Sequence, residues 1–343
     1  MRKSGVGIFV LAVFAGSLLL AASPSFAQQV ITLKYSNFFP APHKNSVIAD
    51  AWCKEVEKRT NGRIKINYFP GATLTPPAQT YDSVTKGIAD IGLSLFGYTM
   101  GKFPMMTAID LPLGYKSAYV ATKLINEYYK KFQPKELDDV KVMYMSGHGP
   151  GVTHTKKPVT KLEEFKGMKI RATGQTAQIV KALGGAPVGM PMTESYDSLS
   201  KGVVEGIMCP MEAMKGWKLG EVVANTTLNF GSAYSSGFWV VMNKAKWNSI
   251  PKADQAIIEK INEEWIEKQG KLWDEIDKEG YELVKQRGDK IIALSPEEDA
   301  RWAKAAYPVI EDYIKGLKAK NLPGDEAIKF LQDYLKKNDK IPN

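Results

Sequence analysis

A ten-residue phrase occurs twice in this chain. Tyr81-Asp82-Ser83-Val84-Thr85-Lys86-Gly87-Ile88-Ala89-Asp90 is echoed by Tyr196-Asp197-Ser198-Leu199-Ser200-Lys201-Gly202-Val203-Val204-Glu205. Nine of the ten pairs are identical or chemically similar, Ala89 against Val204 being the exception. Helix-stop and strand grammar explains Lys-Gly followed by apolar residues, but hardly Tyr-Asp-Ser in the same register. The surroundings repeat as well. Ile31, Leu33 and Tyr35 alternate as in a strand, Val47, Ile48, Trp52 and Val56 recur at helical spacing up to Asn61-Gly62, and Ile64, Ile66 and Tyr68 alternate again. A short helix from Pro77 to Lys86 then leads into the apolar stretch Ile88 to Leu95. Farther on, Met168 to Ala172, Gln175 to Leu183, Ala186 to Met190, Glu194 to Lys201 and Val203 to Met208 spell the same order. Each half reads βαβαβ with right-handed crossovers, so the expected fold class is α/β with two similar lobes, each a mainly parallel sheet with flanking helices.

The C-terminal third reads as helical. Ser249 is placed to cap a helix with Pro251 in its first turn, and Ile258, Ile261, Trp265, Leu272, Ile276 and Leu283 keep helical spacing as far as Arg287-Gly288. Such an element exceeds most globular helices and has the length to run across both lobes. Further helices are expected around Glu297 to Leu317 and Asp325 to Lys336, with Trp302, Tyr307 and Tyr313 as packing residues. The first lobe is expected to comprise residues 28–150 with about 236–280, and the second 151–235 with about 281–343.

Several function classes drop out by count. The only cysteines are Cys53 and Cys209 and the only histidines His43, His148 and His154, too few for a disulfide scaffold or a multi-histidine metal centre. No metal or other cofactor is expected. The net charge of +9 comes from Lys and Arg interleaved with Asp and Glu, so it signals anion attraction or solubility rather than nucleic acid. Residues 1–27 read as a cleaved export signal: Arg2-Lys3, an apolar run from Val6 to Ala22, then Ser25-Phe26-Ala27 with small residues where a signal peptidase reads. Its loss takes 46 basic residues to 44, and 44 minus 37 acidic ones leaves +7. No later stretch is long and apolar enough to span a bilayer, and no cysteine near the cleavage point would carry lipid, which points to a periplasmic protein.

Ligands of open parallel sheets bind just beyond the carboxyl ends of the strands, and two lobes place those ends on a shared cleft. The rule selects Asn37-Phe38-Phe39-Pro40, Phe69-Pro70-Gly71-Ala72 and Ser94-Leu95-Phe96-Gly97-Tyr98 in the first lobe. In the second it selects Arg171-Ala172-Thr173-Gly174, Met190-Pro191-Met192-Thr193 and Met208-Cys209-Pro210-Met211. Arg171 is the one permanent charge among them, and its planar guanidinium suits a carboxylate; the helix opening at Thr173-Gly174 would add positive potential. A surface ion pair at a strand end is the competing reading.

A family resemblance gathers these pieces. Glu55 to Ile66 (Glu-Val-Glu-Lys-Arg-Thr-Asn-Gly-Arg-Ile-Lys-Ile), Phe69-Pro70-Gly71-Ala72-Thr73-Leu74, Phe165-Lys166-Gly167-Met168-Lys169-Ile170-Arg171 and Val203-Val204-Glu205-Gly206, behind an export signal, resemble the substrate-binding proteins of TRAP transporters over nearly the whole mature chain. The resemblance implies a periplasmic-binding-protein fold closing around an organic acid, with a long helix spanning both lobes. It also implies delivery to a small and a large TRAP membrane subunit driven by a sodium gradient, and it puts the family's carboxylate-binding arginine on Arg171.

The departures narrow the ligand. Where acid-sugar and dicarboxylate binders carry Gln-Glu-Asn-Pro, this chain has Ile207-Met208-Cys209-Pro210, so the assisting asparagine is gone. A second arginine common in the family would fall near Pro150-Gly151, and charged residues of sialic-acid binders correspond to about Leu95 and Tyr98. A second buried carboxylate without a cation would cost several kcal/mol. The expected ligand is therefore an aromatic or other apolar monocarboxylate or 2-oxo acid. Its carboxylate would sit on Arg171, and its remainder against a set drawn from Asn37, Phe38, Phe39, Phe96, Tyr98, Met192, Met208, Cys209, Tyr234 and Trp239, at least half of the apolar ones belonging to the core. His148 reads either as a donor to the ligand or as a turn residue. The alternatives are a C4-dicarboxylate or sugar-acid binder of the same family, a binder feeding an ABC importer or a chemoreceptor, and a periplasmic hydrolase using Cys209. No nucleophile-elbow, nucleotide-fingerprint or P-loop motif supports an enzyme.

Overall fold

The computed structural model describes residues 30–339; the export-signal reading of residues 1–27 lies outside them. The strands are β1 (Ile31–Asn37), β2 (Ile64–Phe69), β3 (Ile91–Leu95), β4 (Val140–Gly147), β5 (Val152–Thr155), β6 (Lys169–Arg171), β7 (Ala186–Val188), β8 (Gly206–Cys209), β9 (Asn225–Leu228), β10 (Gly237–Asn243) and β11 (Lys290–Ala293); β1, β2, β3, β6, β7 and β8 fall in the segments the alternation marked, and the other five lie outside them. They make two sheets, ordered β2-β1-β3-β10-β4 and β11-β9-β5-β8-β6-β7. In the first, β2, β1 and β3 run parallel and β10 pairs antiparallel with both β3 and β4. In the second, β7, β6 and β8 run parallel and β5 pairs antiparallel with both β8 and β9. The two sheets thus share one plan: three parallel strands followed by one reversed strand.

The repeated phrase does the same structural job in both lobes. Asp90 ends it in the first lobe, and its carboxylate accepts the Lys34 amide of β1 at 2.8 Å. Glu205 ends it in the second, and its carboxylate accepts the Lys169 amide of β6 at 3.0 Å. In each case the same two residues also share a backbone bond, Asp90 N–H to Lys34 O and Glu205 N–H to Lys169 O. A negative side chain at the entry of the third strand therefore fixes that strand against the first, a charge-assisted bond stronger than a neutral one.

The helix Lys252–Arg287 has 36 residues and, at 1.5 Å per residue, is about 54 Å long. It packs on the helices Lys44–Arg59 and Ala118–Phe132 beside the first sheet and on the turn Ala213–Gly216 and β11 beside the second. It starts one element later than the sequence implied. Ser249 closes a separate short helix, Lys244–Ser249, and donates to the Lys246 carbonyl, while Pro251 stands just before the long helix. The reason is Ile250, whose extended backbone before proline breaks the two apart. Pro308 likewise divides the expected 297–317 helix into Pro296–Ala306 and Pro308–Lys318.

The tail departs from the expected lobe division. Its last helix, Gly324–Asn338, lies on the helix Ala118–Phe132 of the first lobe, with Phe330 edge-on to Phe132 at 5.8 Å. Two short crossings, at 148–151 and 229–236, join the lobes, and Gly151 pairs with Tyr234 between them. No helix among the described residues is long and apolar enough to cross a membrane.

Candidate functional site

Arg171 is the last residue of β6, and its side chain ends in the cleft between the sheets. It is only 5% exposed. Its Nε–H donates to the Met190 carbonyl at 3.0 Å, which fixes the direction of the guanidinium, and it makes no ion pair with a carboxylate among the described residues. The next helix, Gly174–Ala182, opens with Gly174 at φ +53°, where a Cβ would lie 2.8 Å from the Cα of Gly97. Here the two lobes touch backbone to backbone, and only glycine fits. Beside that contact, Tyr98 of the first lobe accepts the Met192 amide of the second at 2.9 Å. Burial raises the Tyr98 phenol above its ordinary range, with the neighbouring Arg171 charge acting against that rise.

A small cavity of about 40 Å³ lies beside the guanidinium. Phe38, Phe39, Leu95, Tyr98 and Phe238 come to it from the first lobe. Arg171, Thr173, Met192, Cys209, Pro210, Glu212 and Trp217 come from the second, His148, Tyr234 and Ser236 from the crossings, and Trp273 from the long helix. The rings interlock. Phe38 lies parallel to Trp217 at 6.2 Å across the cleft, Phe238 packs on Trp273 at 5.1 Å, and Tyr234 stands edge-on to His148 at 5.2 Å.

Of the residues singled out by sequence, Arg171, Phe38, Phe39, Tyr98, His148, Met192, Cys209 and Tyr234 meet at this cavity. Asn37, Phe96, Met208 and Trp239 do not line it. Asn37 shapes the turn that presents the two phenylalanines: its carbonyl oxygen accepts the Phe39 amide at 2.9 Å and its amide donates to Tyr68. Phe96 is packed edge-on against Phe103 in the core. Met208 and Trp239 are errors of parity. Side chains alternate across a strand, so Cys209 and Phe238 reach the cavity while their neighbours Met208 and Trp239 turn to the opposite face. There Trp239 meets the edge of Tyr81 at 5.5 Å. Both faces of β8 and β10 are buried, so no polar alternation marks the inner one. Sequence reasoning also missed Trp217, Phe238, Trp273, Ser236 and Glu212.

His148 is corrected in its chemistry. Its Nδ1 lies 2.5 Å from the Gly149 carbonyl, which only accepts, so Nδ1 carries the hydrogen. Burial pushes the imidazole down to about 4, the bond to Gly149 opposing and the Arg171 charge reinforcing the shift. The ring is therefore neutral at pH 7, and its Nε2 is an acceptor rather than the donor proposed for it. Cys209 is equally unlike a nucleophile. Burial holds its thiol well above the ordinary range, and His154 touches its carbonyl, at 3.2 Å, not its sulfur. Both cysteines are free.

Glu212 brings the second buried charge. Its Oε1 lies 2.5 Å from Nε2 of His43, and both side chains are almost fully buried. Nδ1 of His43 accepts the Asn45 amide at 3.1 Å, so Nε2 carries the hydrogen and donates to the carboxylate. Space for the pair depends on Gly216, where a Cβ would come within 2.0 Å of Glu212 Oε1 and 2.6 Å of His43 Nε2. The bond joins the start of the first helix of lobe one to the turn after β8 of lobe two.

The family described as bacterial extracellular solute-binding protein, family 7, matches residues 38–316. A solute-binding protein of Albidiferax ferrireducens is 27% identical over 309 residues, 85% of this chain and 89% of that one. Among solved structures, a marine metagenome TRAP solute-binding protein specific for aromatic acid ligands, in complex with metahydroxyphenylacetate, has a TM-score of 0.86 at 32% identity, covering 90% of this chain and all of that one. A TRAP solute-binding protein from Rhodoferax ferrireducens, in complex with copurified benzoate, has a TM-score of 0.83 at 27% identity, covering 90% of this chain and 98% of that one. The matching family and the relatives and structures named here are solute-binding proteins, not enzymes. With family 7 matched over most of its length, a two-lobed fold in common with TRAP structures and a buried arginine in the cleft, the chain belongs to the TRAP-type periplasmic solute-binding proteins.

Proposed function

We propose that this protein captures an aromatic monocarboxylate, holding the carboxylate on Arg171 and the ring among Phe38, Phe39, Trp217, Phe238 and Trp273. One observation carries the reading: a guanidinium 5% exposed, with no carboxylate partner among the described residues, opens onto a cavity otherwise walled largely by rings. A buried cation without an anion is costly, and a ligand carboxylate would remove that cost by two parallel hydrogen bonds. The solved neighbours that hold metahydroxyphenylacetate and benzoate support the same class. Dicarboxylates and sugar acids fit less well, because Arg171 is the only cation on the cavity wall among the described residues and Glu212 would repel a second negative group.

Capture works by closure. The ligand bridges the Arg171 lobe and the ring-bearing lobe, and the closed population grows by its differential affinity for that state. After export and loss of residues 1–27, the loaded protein delivers the acid to the small and large TRAP membrane subunits. The test is a thermal-shift and calorimetric series with benzoate, phenylacetate, branched monocarboxylates, succinate and glucuronate. Ligand at 100 times its Kd stabilises by about 2.7 kcal/mol, a readily seen shift. Stabilisation by the aromatic acids alone is expected; stabilisation by succinate or glucuronate alone would remove this reading.

A further inference from the structure

The cavity holds more acceptors than an unsubstituted ring can use. Glu212 spends Oε1 on His43, while its second carboxylate oxygen meets no donor among the described residues, although the residue is only 2% exposed and lines the cavity. His148 spends its hydrogen on Gly149 and leaves Nε2 as a bare acceptor on the same wall. Neither group turns to the guanidinium: Arg171 is held by Met190, and no ion pair joins it to Glu212 among the described residues. One cavity thus carries an unpaired cation, two acceptors lacking donors among the described residues and one buried donor, the Trp273 indole N–H, lacking an acceptor. Leaving a buried acceptor without a hydrogen costs about 1–3 kcal/mol, and more for a charged one. A plain apolar ring would incur that cost on closure; a ring bearing its own O–H or N–H would not.

We propose that Glu212, positioned by His43 and assisted by His148, is the specificity-determining residue for a hydrogen-bond donor on the ring of the aromatic acid, so that the preferred ligands are hydroxylated or amino-substituted aromatic acids. This rests on the aromatic-acid reading of Arg171. It makes recognition two-ended: a donor-rich pole takes the carboxylate and an acceptor pole takes the ring substituent. A site built around an acceptor discriminates strongly against ligands that leave it unpaired.

Calorimetry with purified wild type and Glu212→Gln tests it, using the hydroxy, amino and methoxy isomers of phenylacetate together with phenylacetate itself. The methoxy group has nearly the shape of the hydroxyl but no hydrogen to give. Wild type should bind its best hydroxy or amino isomer at least tenfold more tightly than the matching methoxy isomer and phenylacetate. In Glu212→Gln the amide oxygen stays on His43 and an NH2 group faces the cavity, so the preference should fall below threefold while phenylacetate still binds. Aromatic acids bound by wild type without that preference would overturn the proposal, and so would an equal weakening of every ligand by Glu212→Gln, the mark of a mere clasp between the lobes. If no aromatic acid binds wild type, the Arg171 reading falls too. If the variant does not fold, the wild-type ratio decides alone.

Discussion

The first sheet brings rings to the cleft and the second brings charge. Phe38 and Phe39 follow β1, Tyr98 follows β3 and Phe238 lies in β10, whereas Arg171 ends β6 and Glu212 follows β8. Beneath these ends the frames are alike, down to the acidic residue that ties the third strand to the first through Asp90 and Lys34 or Glu205 and Lys169. The scaffold contacts stayed alike while the strand ends diverged, which is where an open α/β sheet can change chemistry without disturbing its core. The outcome is a division of labour. The second lobe sets Met192, Pro210 and Trp217 beside its anion partner, and the first adds Phe38, Phe39 and Phe238, so the cavity is enclosed only when the two meet.

The sharpest way to break that division is Arg171→Ala, which leaves the rings in place and removes the anion partner. Carboxylate affinity by calorimetry should fall at least tenfold, in line with about 1.5–3 kcal/mol for hydrogen bonds to a charged group; an unchanged affinity would place the carboxylate elsewhere. The matched scaffold bonds offer a second comparison. Asp90 is 2% exposed and Glu205 is exposed, so Asp90→Ala should cost about 2 kcal/mol in thermal or denaturant unfolding and Glu205→Ala well under 1. Equal losses would mean that burial does not set the strength of this bond.

A smaller contrast concerns pH. In the first lobe, burial raises Asp110 to about 7 against the opposing bond from the Gly237 amide. In the second, burial lowers His154 to about 4, with its bond to the Cys209 carbonyl opposing. The signs are opposite. Asp110 keeps its proton longer in the folded state, so its contribution is lost as pH rises from about 4 to 7. His154 sheds its proton earlier in the folded state, so its contribution is lost as pH falls from about 6.5 to 4. Asp110→Asn removes the first term. The melting temperature of the variant should rise relative to wild type between pH 5 and pH 8; parallel curves would show that Asp110 does not titrate across that interval.

Much of this was legible because it is local. Tyr81 to Asp90 and its echo disclose the repeat, and the strand-end rule reaches Arg171, Phe38, Phe39, Tyr98, Met192 and Cys209 from the sequence alone. What escaped depends on distance or on parity. Trp217 faces Phe38 from a turn far along the chain, and Trp273 sits on a helix whose apolar residues all read alike as core. Glu212 stands in Met211-Glu212-Ala213, which looks like any solvated helical face until His43 arrives from the other lobe. Phe238 and Trp239 are adjacent rings in a strand buried on both sides, and nothing in their neighbours says which one faces in.

The reversed strands carry a consequence for assembly. β10 is the sole link between β3 and β4 in the first sheet, yet it lies at residues 237–243, after the chain has already written β5 to β9 of the second. A growing chain cannot finish its first lobe before most of its second has been made, and no single cut yields a lobe that holds all its own strands. Such interlaced, long-range pairing makes for slow folding. Until residue 243 is available β1 to β3 and β4 remain separate pieces, so a chain truncated at residue 236 should fail to form the first sheet however intact its sequence up to that point.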